Sequence, residues 1–261
     1  MRLDQEMVRR GLSNTRSKAQ EAIKNGFVFC DGKQVYKSSL MVNDCNEITV
    51  KEGAFKYVSR AGLKLEKASR EFNIDFTNKI MCDIGSSTGG FTDYAIQNGV
   101  KKVYAVDVGN NQMDETLRNN SKIVLFENTD FRDIDIDLIN DSNIITIDVS
   151  FISIKKIIPT IKKLNNVKEI VCLIKPQFEC GKELADKYKG IILNKDIHMS
   201  IIADIIGEFE KIDYNPKNLT YSPIRGGSGN IEYLLYLMKG NTTQKSINIE
   251  SVVTKAFKNL N

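Results

Sequence analysis

The sequence predicts an α/β protein, a doubly wound, Rossmann-like parallel sheet preceded by a small α+β module. Three observations carry that prediction. From residue 79 onward the short apolar runs KIMCDIG, KKVYAVDVG, KIVLFENTD, NIITIDVS, EIVCLIKP and IEYLLYLMK alternate with polar or amphipathic stretches of helix length, the rhythm of βαβ units. A glycine-rich turn, Gly85-Ser86-Ser87-Thr88-Gly89-Gly90, follows the first of those runs. The first fifty residues obey another pattern, two short helical periods followed by alternating apolar positions.

In the small module Leu3, Met7 and Val8 recur at helical spacing and Gly11 stops the turn. Ser13 is the expected cap of a second helix through Ala19, Ala22 and Ile23, which Gly26 ends. Val28 and Cys30 alternate into an Asp31-Gly32 hairpin turn, Val35 leads out of it, and Glu47-Ile48-Thr49-Val50 forms the last strand. The cations Arg9, Arg10, Arg16, Lys18 and Lys24 are expected to face solvent. The predicted divisions are residues 1–53 for this module, 54–78 for a linker and first helix, 79–240 for the α/β domain, and 241–261 for a polar tail with one helix near Val252 to Phe257.

Charge is unevenly spread along the 261 residues: the first 65 hold twelve Lys/Arg against seven Asp/Glu, a net +5, which leaves −1 for the remainder of the total +4. Such asymmetry fits a polyanion-binding module joined to a near-neutral domain. Five cysteines without C-x-x-C spacing read as reduced thiols, not as staples or zinc ligands, and no metal site is expected. The charged N-terminus and the absence of a run of about 18 apolar residues predict a cytoplasmic chain without membrane association.

Gly85-Ser86-Ser87-Thr88-Gly89 matches both a G-x-S-x-G nucleophile elbow and a nucleoside-binding turn. The elbow needs earlier strands to supply its oxyanion hole and a loop histidine, yet the turn follows the first strand of the domain. The only histidine, His198, falls inside an amphipathic helix. A cofactor turn explains more: a strand ending at Asp83, small residues Gly85, Ser87, Thr88, Gly89 and Gly90 that let backbone amides approach a ligand, and a helix starting at Phe91. The next strand ends at Asp107, about twenty residues on, where a carboxylate can accept both ribose hydroxyls. This spacing suits NAD as well, but the turn lacks G-x-G-x-x-G, so zwitterionic S-adenosyl-L-methionine is the better candidate. Asp130, at the third strand's end, is a candidate for the adenine amino group.

Two later strands end in Asp148 and Lys175, an acid and an amine brought side by side above the sheet. Lys64 precedes the domain and Glu232 opens the last strand. Charges at the ends of apolar strands are costly unless paired or used, and a structural salt bridge is the plain alternative.

Two resemblances follow from these residues. Arg2-Leu3-Asp4, Thr15-Arg16-Ser17-Lys18-Ala19, Ile23-Lys24-Asn25-Gly26-Phe27-Val28 and Asp31-Gly32-Lys33 resemble the S4 RNA-binding domain. The order Lys64, Asp148, Lys175, Glu232 resembles the tetrad of FtsJ-type ribose 2'-O-methyltransferases. The whole chain is similar to the TlyA family of ribosomal RNA methyltransferases, often labelled hemolysins, in Ser59 to Leu65, Asp83 to Thr92, Ala105 to Gly109, Ile147 to Ser153, Lys175 to Glu179, Ser222 to Ile224 and Gly229 to Glu232. Asn110-Asn111, Asn128 and Gly227-Ser228 depart from the family's pattern.

The resemblance implies an α/β methyltransferase domain behind an S4 domain, methylating a cytidine 2'-hydroxyl in ribosomal RNA of the large subunit, with that of the small subunit as a further candidate. Lys175 would be the base or oxygen-orienting group, Asp148 and Glu232 its positioners, and Lys64 a cation near the target ribose. Asp83, Gly85, Ser87, Thr88, Gly89, Gly90, Phe91, Asp107, Val108, Gln112, Asp130 and Asp148 would hold S-adenosylmethionine. Arg2, Arg9, Arg10, Arg16, Lys18, Lys24, Lys33 and Arg60 would meet RNA. Partners are ribosomal RNA or ribosomal subunits, with the protein expected to be a monomer. A non-catalytic ribosome-assembly factor and, further off, a pore-forming hemolysin are the competing readings; Phe151 and Phe178 are either aromatic shelves beside the site or ordinary packing.

Overall fold

The computed structural model describes residues 1–24, 26–51, 53–240 and 247–260. Asn25 of the S4-like motif, Glu52, and residues 241–246 and 261 of the expected tail lie outside the described residues. The chain divides into two compact units, Met1–Lys56 and Tyr57–Asn261.

In the first unit α1 (Leu3–Arg9) and α2 (Arg16–Lys24) cover a three-stranded antiparallel sheet of β1 (Val28–Cys30), β2 (Lys33–Gln34) and β3 (Ile48–Val50), in the order β2-β1-β3. Leu3, Met7, Ala19, Ala22, Ile23 and Val28 are almost wholly buried and make its core. Asp31 and Gly32 both take positive φ (48° and 73°), the conformation a two-residue hairpin needs between Cys30 and Lys33. The cap of α2 is Thr15, not Ser13: the Lys18 amide donates to Thr15 Oγ1 at 3.2 Å, while the buried Ser13 hydroxyl donates to the Thr15 carbonyl at 2.9 Å. A cap must stand two or three residues before the amide it receives, which favours Thr15.

The second unit holds α3 (Ala61–Phe72), β4 (Ile80–Ile84), α4 (Gly90–Gln97), β5 (Lys102–Val106), α5 (Glu115–Arg118), β6 (Ile123–Phe126), β7 (Ile144–Ile147), α6 (Ile158–Ile161), β8 (Glu169–Ile174), α7 (Pro176–Glu179), α8 (Lys182–Lys187), α9 (Lys195–Glu210), β9 (Tyr214–Tyr221), β10 (Tyr233–Lys239) and α10 (Ile249–Asn259). The seven strands lie in the order β6-β5-β4-β7-β8-β10-β9. The first five are parallel, and β10 runs antiparallel to both neighbours. Both faces are covered. Ile170, Cys172 and Ile174 of β8 pack with α9 and α10 on one side, and Val171 and Leu173 pack with α3 and α4 on the other.

Two features depart from expectation. β9 was not foreseen because Asn215, Pro216 and Asn218 break a strand-like pattern; Pro is tolerated there because β9 is an edge strand and the ladder shifts register between Tyr236 and Leu237, opposite Pro216. The helix expected near Val252 to Phe257 is present as α10, longer at both ends, but its Val253, Ala256 and Phe257 are buried in the core beside α9, a packing that a polar tail did not suggest. The sheet order reverses between β4, which leads to β5 and β6, and β7, which leads to β8. The loops leaving those two strands therefore diverge and open a cleft at their carboxyl ends.

Candidate active site

The floor of the cleft is the turn after β4. Gly85 takes φ +81°, and a Cβ there would lie 2.6 Å from the Asp148 carbonyl oxygen. A Cβ on Gly90 would meet Ser59 Oγ at 2.4 Å and the Gly62 amide nitrogen at 2.9 Å. These glycines admit protein as well: the exit of β7 packs on Gly85, which also lines the cleft, and the start of α3 packs on Gly90, an approach the sequence did not disclose. That close approach is what brings Asp148 and Lys64 towards the turn.

Beside the turn is a cleft of about 320 Å³. Gly85, Ser87, Asp107, Val108, Gln112, Asp130 and Asp148 line it, as does Phe151, one of the two rings expected either beside the site or in ordinary packing; Thr129, Phe131, Val149, Ser150 and Ile152 line it too and were not singled out as ligand contacts. Asp107 is held by two amides, Ser87 N–H to Oδ2 at 2.8 Å and Gly109 N–H to Oδ1 at 2.7 Å. Ser87 Oγ also donates to Gln112 Oε1 at 3.3 Å. Asp130 is gripped by the Arg132 guanidinium, which holds its carboxyl below the usual range.

Asp83, Thr88, Gly89, Gly90 and Phe91 are not on the cleft wall. Asp83 is fully buried and its oxygens accept the hydroxyls of Thr92 (2.7 Å) and Thr146 (2.8 Å). Burial pushes its carboxyl up to about 6 against the pull of those two hydroxyls. Thr88 is exposed, Gly89 faces Leu117, and Phe91 is packed in the core.

At the cleft's mouth the four distant charges converge in two pairs. Lys64 Nζ lies 2.6 Å from Glu232 Oε2, with both residues buried, and Lys175 Nζ lies 2.5 Å from Asp148 Oδ1. Topology produces the convergence. Asp148 and Lys175 each stand one residue past a parallel strand, and the pairing of Tyr233 with Ile174, continued by one residue, sets Glu232 opposite Lys175. Gly226 makes room for Glu232, because a Cβ there would lie 2.4 Å from Oε1. Lys175 also donates to Ser150 Oγ at 2.8 Å. Asp148 Oδ1 faces Lys175 outside hydrogen-bond geometry and is buried without a hydrogen-bond donor. Burial pushes the Asp148 carboxyl up, but Lys64 and Lys175, with Arg60 behind them, hold it below the usual carboxylate range.

Phe151 adds an unusual surface. Its side chain is 91% exposed and its φ is +64°, a conformation that L residues with bulky side chains rarely take. Its ring lies 5.1 Å from that of Phe178, and Lys175 Nζ is 6.0 Å from the Phe178 ring centre. Ser150 and Glu179 belong to this cluster too; both fall within the family-like segments Ile147 to Ser153 and Lys175 to Glu179, two residues after Asp148 and four after Lys175, but the sequence assigned them no role.

The histidine is structural. His198 is fully buried in α9, its Nδ1 2.7 Å from the Tyr233 hydroxyl and its Nε2 3.0 Å from the Ile192 carbonyl. Among the described residues no cluster of three metal-ligating side chains occurs, and no helix is long and apolar enough to cross a membrane.

The N-terminal cations are less free than expected. Arg2 and Arg16 converge on buried Asp4 (3.0 and 2.9 Å), and Arg9 and Arg10 on buried Glu6 (2.5 and 2.6 Å), with Arg9 also pairing with Asp44. Arg10 is half-buried and reaches the carbonyls of Asn43 and Asn46. Two acids inside the small core require these arginines, a demand the spacing of charges did not disclose. Lys24 and Lys33 are exposed, and Lys18 and Arg60 are half-buried.

Comparison with known proteins agrees with this division. Residues 57–239 match the FtsJ-like methyltransferase family and residues 1–48 the S4 domain. The chain is 46% identical to "Hemolysin A" of Brachyspira hyodysenteriae over 91% of this chain and 100% of that one. It is 38% identical to the "23S rRNA (cytidine-2'-O)-methyltransferase TlyA" of Campylobacter jejuni over 89% and 97%. The solved structure "Putative hemolysin from Streptococcus thermophilus" superposes with a TM-score of 0.78 at 37% identity, over 99% of this chain and 96% of that one. The chain belongs to the FtsJ-like methyltransferase family and carries an S4 domain at its N-terminus.

Proposed function

We propose that this protein methylates the ribose 2'-hydroxyl of a cytidine in 23S ribosomal RNA, acting in the cytoplasm with S-adenosylmethionine as methyl donor. The observation that carries the reading is the convergence of two amine–carboxylate pairs, Lys64–Glu232 and Lys175–Asp148, at the mouth of a cleft beside a glycine turn. The Campylobacter relative is named for that reaction, and the S4 domain supplies a module for RNA.

The cleft suits the donor. Of the carboxylates on its wall, Asp130 is paired with Arg132 and Asp148 with Lys175, whereas Asp107 accepts two backbone amides, and no lysine or arginine lines the wall to receive a phosphate, which favours a cationic ligand over the phosphates of a dinucleotide. Asp107 would accept the ribose hydroxyls, Val108 and Phe131 would cover the adenine, and Gln112 would close its edge. When bound, the donor supplies an electrophilic methyl group on a sulfonium sulfur.

The chain's own residues do the rest. Lys175 takes the proton of the 2'-hydroxyl or orients its oxygen, while Asp148 and Ser150 fix the amine's direction. Lys64 donates to the target ribose oxygen and is held in place by Glu232. The exposed ring of Phe151 offers a face for a base drawn out of its stack. Alignment of oxygen and methyl group contributes the larger part of the acceleration. The test is incubation of the purified protein with ribosomal subunits and labelled S-adenosylmethionine, followed by mapping of ribose methylation. A single modified cytidine in 23S RNA is expected, whereas label on a base, or RNA binding without label, would refute the reading.

A further inference from the structure

The loop leaving β7 and the turn of α7 are joined at three points, and one of them lies away from the reacting groups. Lys175, just ahead of α7, reaches Asp148 and Ser150. Phe178 meets Phe151. Glu179 Oε2 accepts the Ser153 hydroxyl at 2.5 Å, and Oε1 accepts the Ile154 amide at 2.8 Å, which closes the short 3-10 turn Ile154–Lys156. Positions 175, 178 and 179 share one face of a helical turn, so a single rigid element grips the loop at its start, its middle and its end.

We propose that Glu179 is a positioning residue for methyl transfer: by locking Ser153 and Ile154 to α7, it sets where Phe151 and Lys175 stand relative to each other. The inference rests on the function proposed above and deepens it. Phe151 shows why such a lock is needed. An exposed aromatic residue at φ +64° has neither burial nor backbone preference to hold it, so the surrounding loop must fix its conformation. Between Asp148 and Ile154 the loop has no regular structure of its own; beyond Phe151 it is held by burial of the Ile154 side chain in the core and by the Glu179 carboxylate, and of these two only the carboxylate ties it to α7 through hydrogen bonds. That carboxylate is half-buried, and burial pushes it up against the pull of Ser153 and Ile154, so the two hydrogen bonds are what keep a charge in this place.

Three variants of the full chain test this: Glu179→Ala, Glu179→Gln and Ser153→Ala. Single-turnover methyl transfer to ribosomal subunits is measured beside equilibrium binding of S-adenosylmethionine and of RNA. Glu179→Ala is expected to slow transfer about 10- to 100-fold, as a misplacement of reacting groups does, with both affinities within a few-fold of wild type. Glu179→Gln is expected to recover most of the rate, because its amide oxygen can still accept from Ile154 and its nitrogen can donate to Ser153. Ser153→Ala, which leaves the carboxylate in place, is expected to lose rate by less than Glu179→Ala. Should Glu179→Ala fail to fold, the other two variants decide. Wild-type transfer rates in Glu179→Ala or Ser153→Ala, a defect lying wholly in cofactor affinity, or a Gln variant no better than Ala would overturn the proposal. Absence of transfer by the wild-type protein would instead overturn the function on which it rests.

Discussion

Asp4 and Glu6 in the N-terminal unit are gripped by arginines, while Asp148 and Glu232 in the α/β unit face lysines. Around Asp4 two guanidinium groups and the Gln20 amide fill the lone pairs, and around Glu6 two guanidinium groups do the same. Arginine stays charged at any accessible pH and meets a carboxylate with a planar fork. Such a cluster can hold a fold but cannot move a proton. The α/β unit uses point-charge amines of a kind that can give up a proton, and it sets one against each acid, Lys175 Nζ beside Asp148 Oδ1 and Lys64 Nζ beside Glu232 Oε2. The two arrangements therefore serve different ends: four arginines around two buried acids fix structure, whereas one amine for each acid keeps a group that can exchange a proton with a substrate.

The sharpest way to break that contrast is to treat Lys175 as if it were structural. Lys175→Ala is expected to lower methyl transfer by on the order of 10³-fold or more, with S-adenosylmethionine affinity retained, since a positioned proton acceptor is removed. Turnover near the wild-type rate would reduce the Lys175–Asp148 pair to a salt bridge of the arginine type. A calorimetric titration of the cofactor beside the rate assay separates the two outcomes.

Glu232→Gln addresses the other pair and should show most strongly in stability. Lys64 is only 6% exposed and would be left without its nearest partner. Removing one member of a buried pair costs about 3 kcal/mol or more, here at the low end because Asp148 also attracts Lys64. Urea unfolding of the intact chain, followed on the α/β unit, measures it. A change too small to resolve would mean that Lys64 relaxes into water, contrary to its burial.

The regions also differ in how far sequence discloses them. Asp148, Lys175 and Glu232 were legible because apolar strands that end in a charge are rare and their ends share one edge of the sheet. β9 was hidden because edge position, which excuses Pro216, is a tertiary fact. The glycine turn was recognisable, but its packing purpose was not, since what a missing Cβ admits depends on a chain segment sixty residues away. Asp83 was placed in the ligand wall for want of any signal that Thr92 and Thr146 would consume its oxygens. In the N-terminal unit the positive charge was counted correctly, but its pairing with two buried acids was not foreseen. A count of cations cannot tell that Asp4 and Glu6 point inward, and once they do, the arginines are committed.

The smallest expected effect lies in that unit. Arg9 is about half exposed, and Glu6 keeps Arg10 when Arg9 is lost, so Arg9→Gln should weaken the unit only a few-fold in its opening equilibrium. Its pH dependence is diagnostic. Arg9, then Arg10, hold the Glu6 carboxyl down to about 2 from 4.5, against the effect of burial. A depressed carboxylate contributes stability that is present in full above 4.5 and lost as pH falls through about 2, because the unfolded chain binds the proton first. The difference between wild type and Arg9→Gln should therefore be constant above pH 4.5, shrink below it and vanish near pH 2. Hydrogen exchange of the α1 amides reads this in the intact chain. A difference that persists unchanged in acid would assign the effect of Arg9 to its packing or to Asp44, and the arginine cluster would then owe less to Glu6 than its geometry indicates.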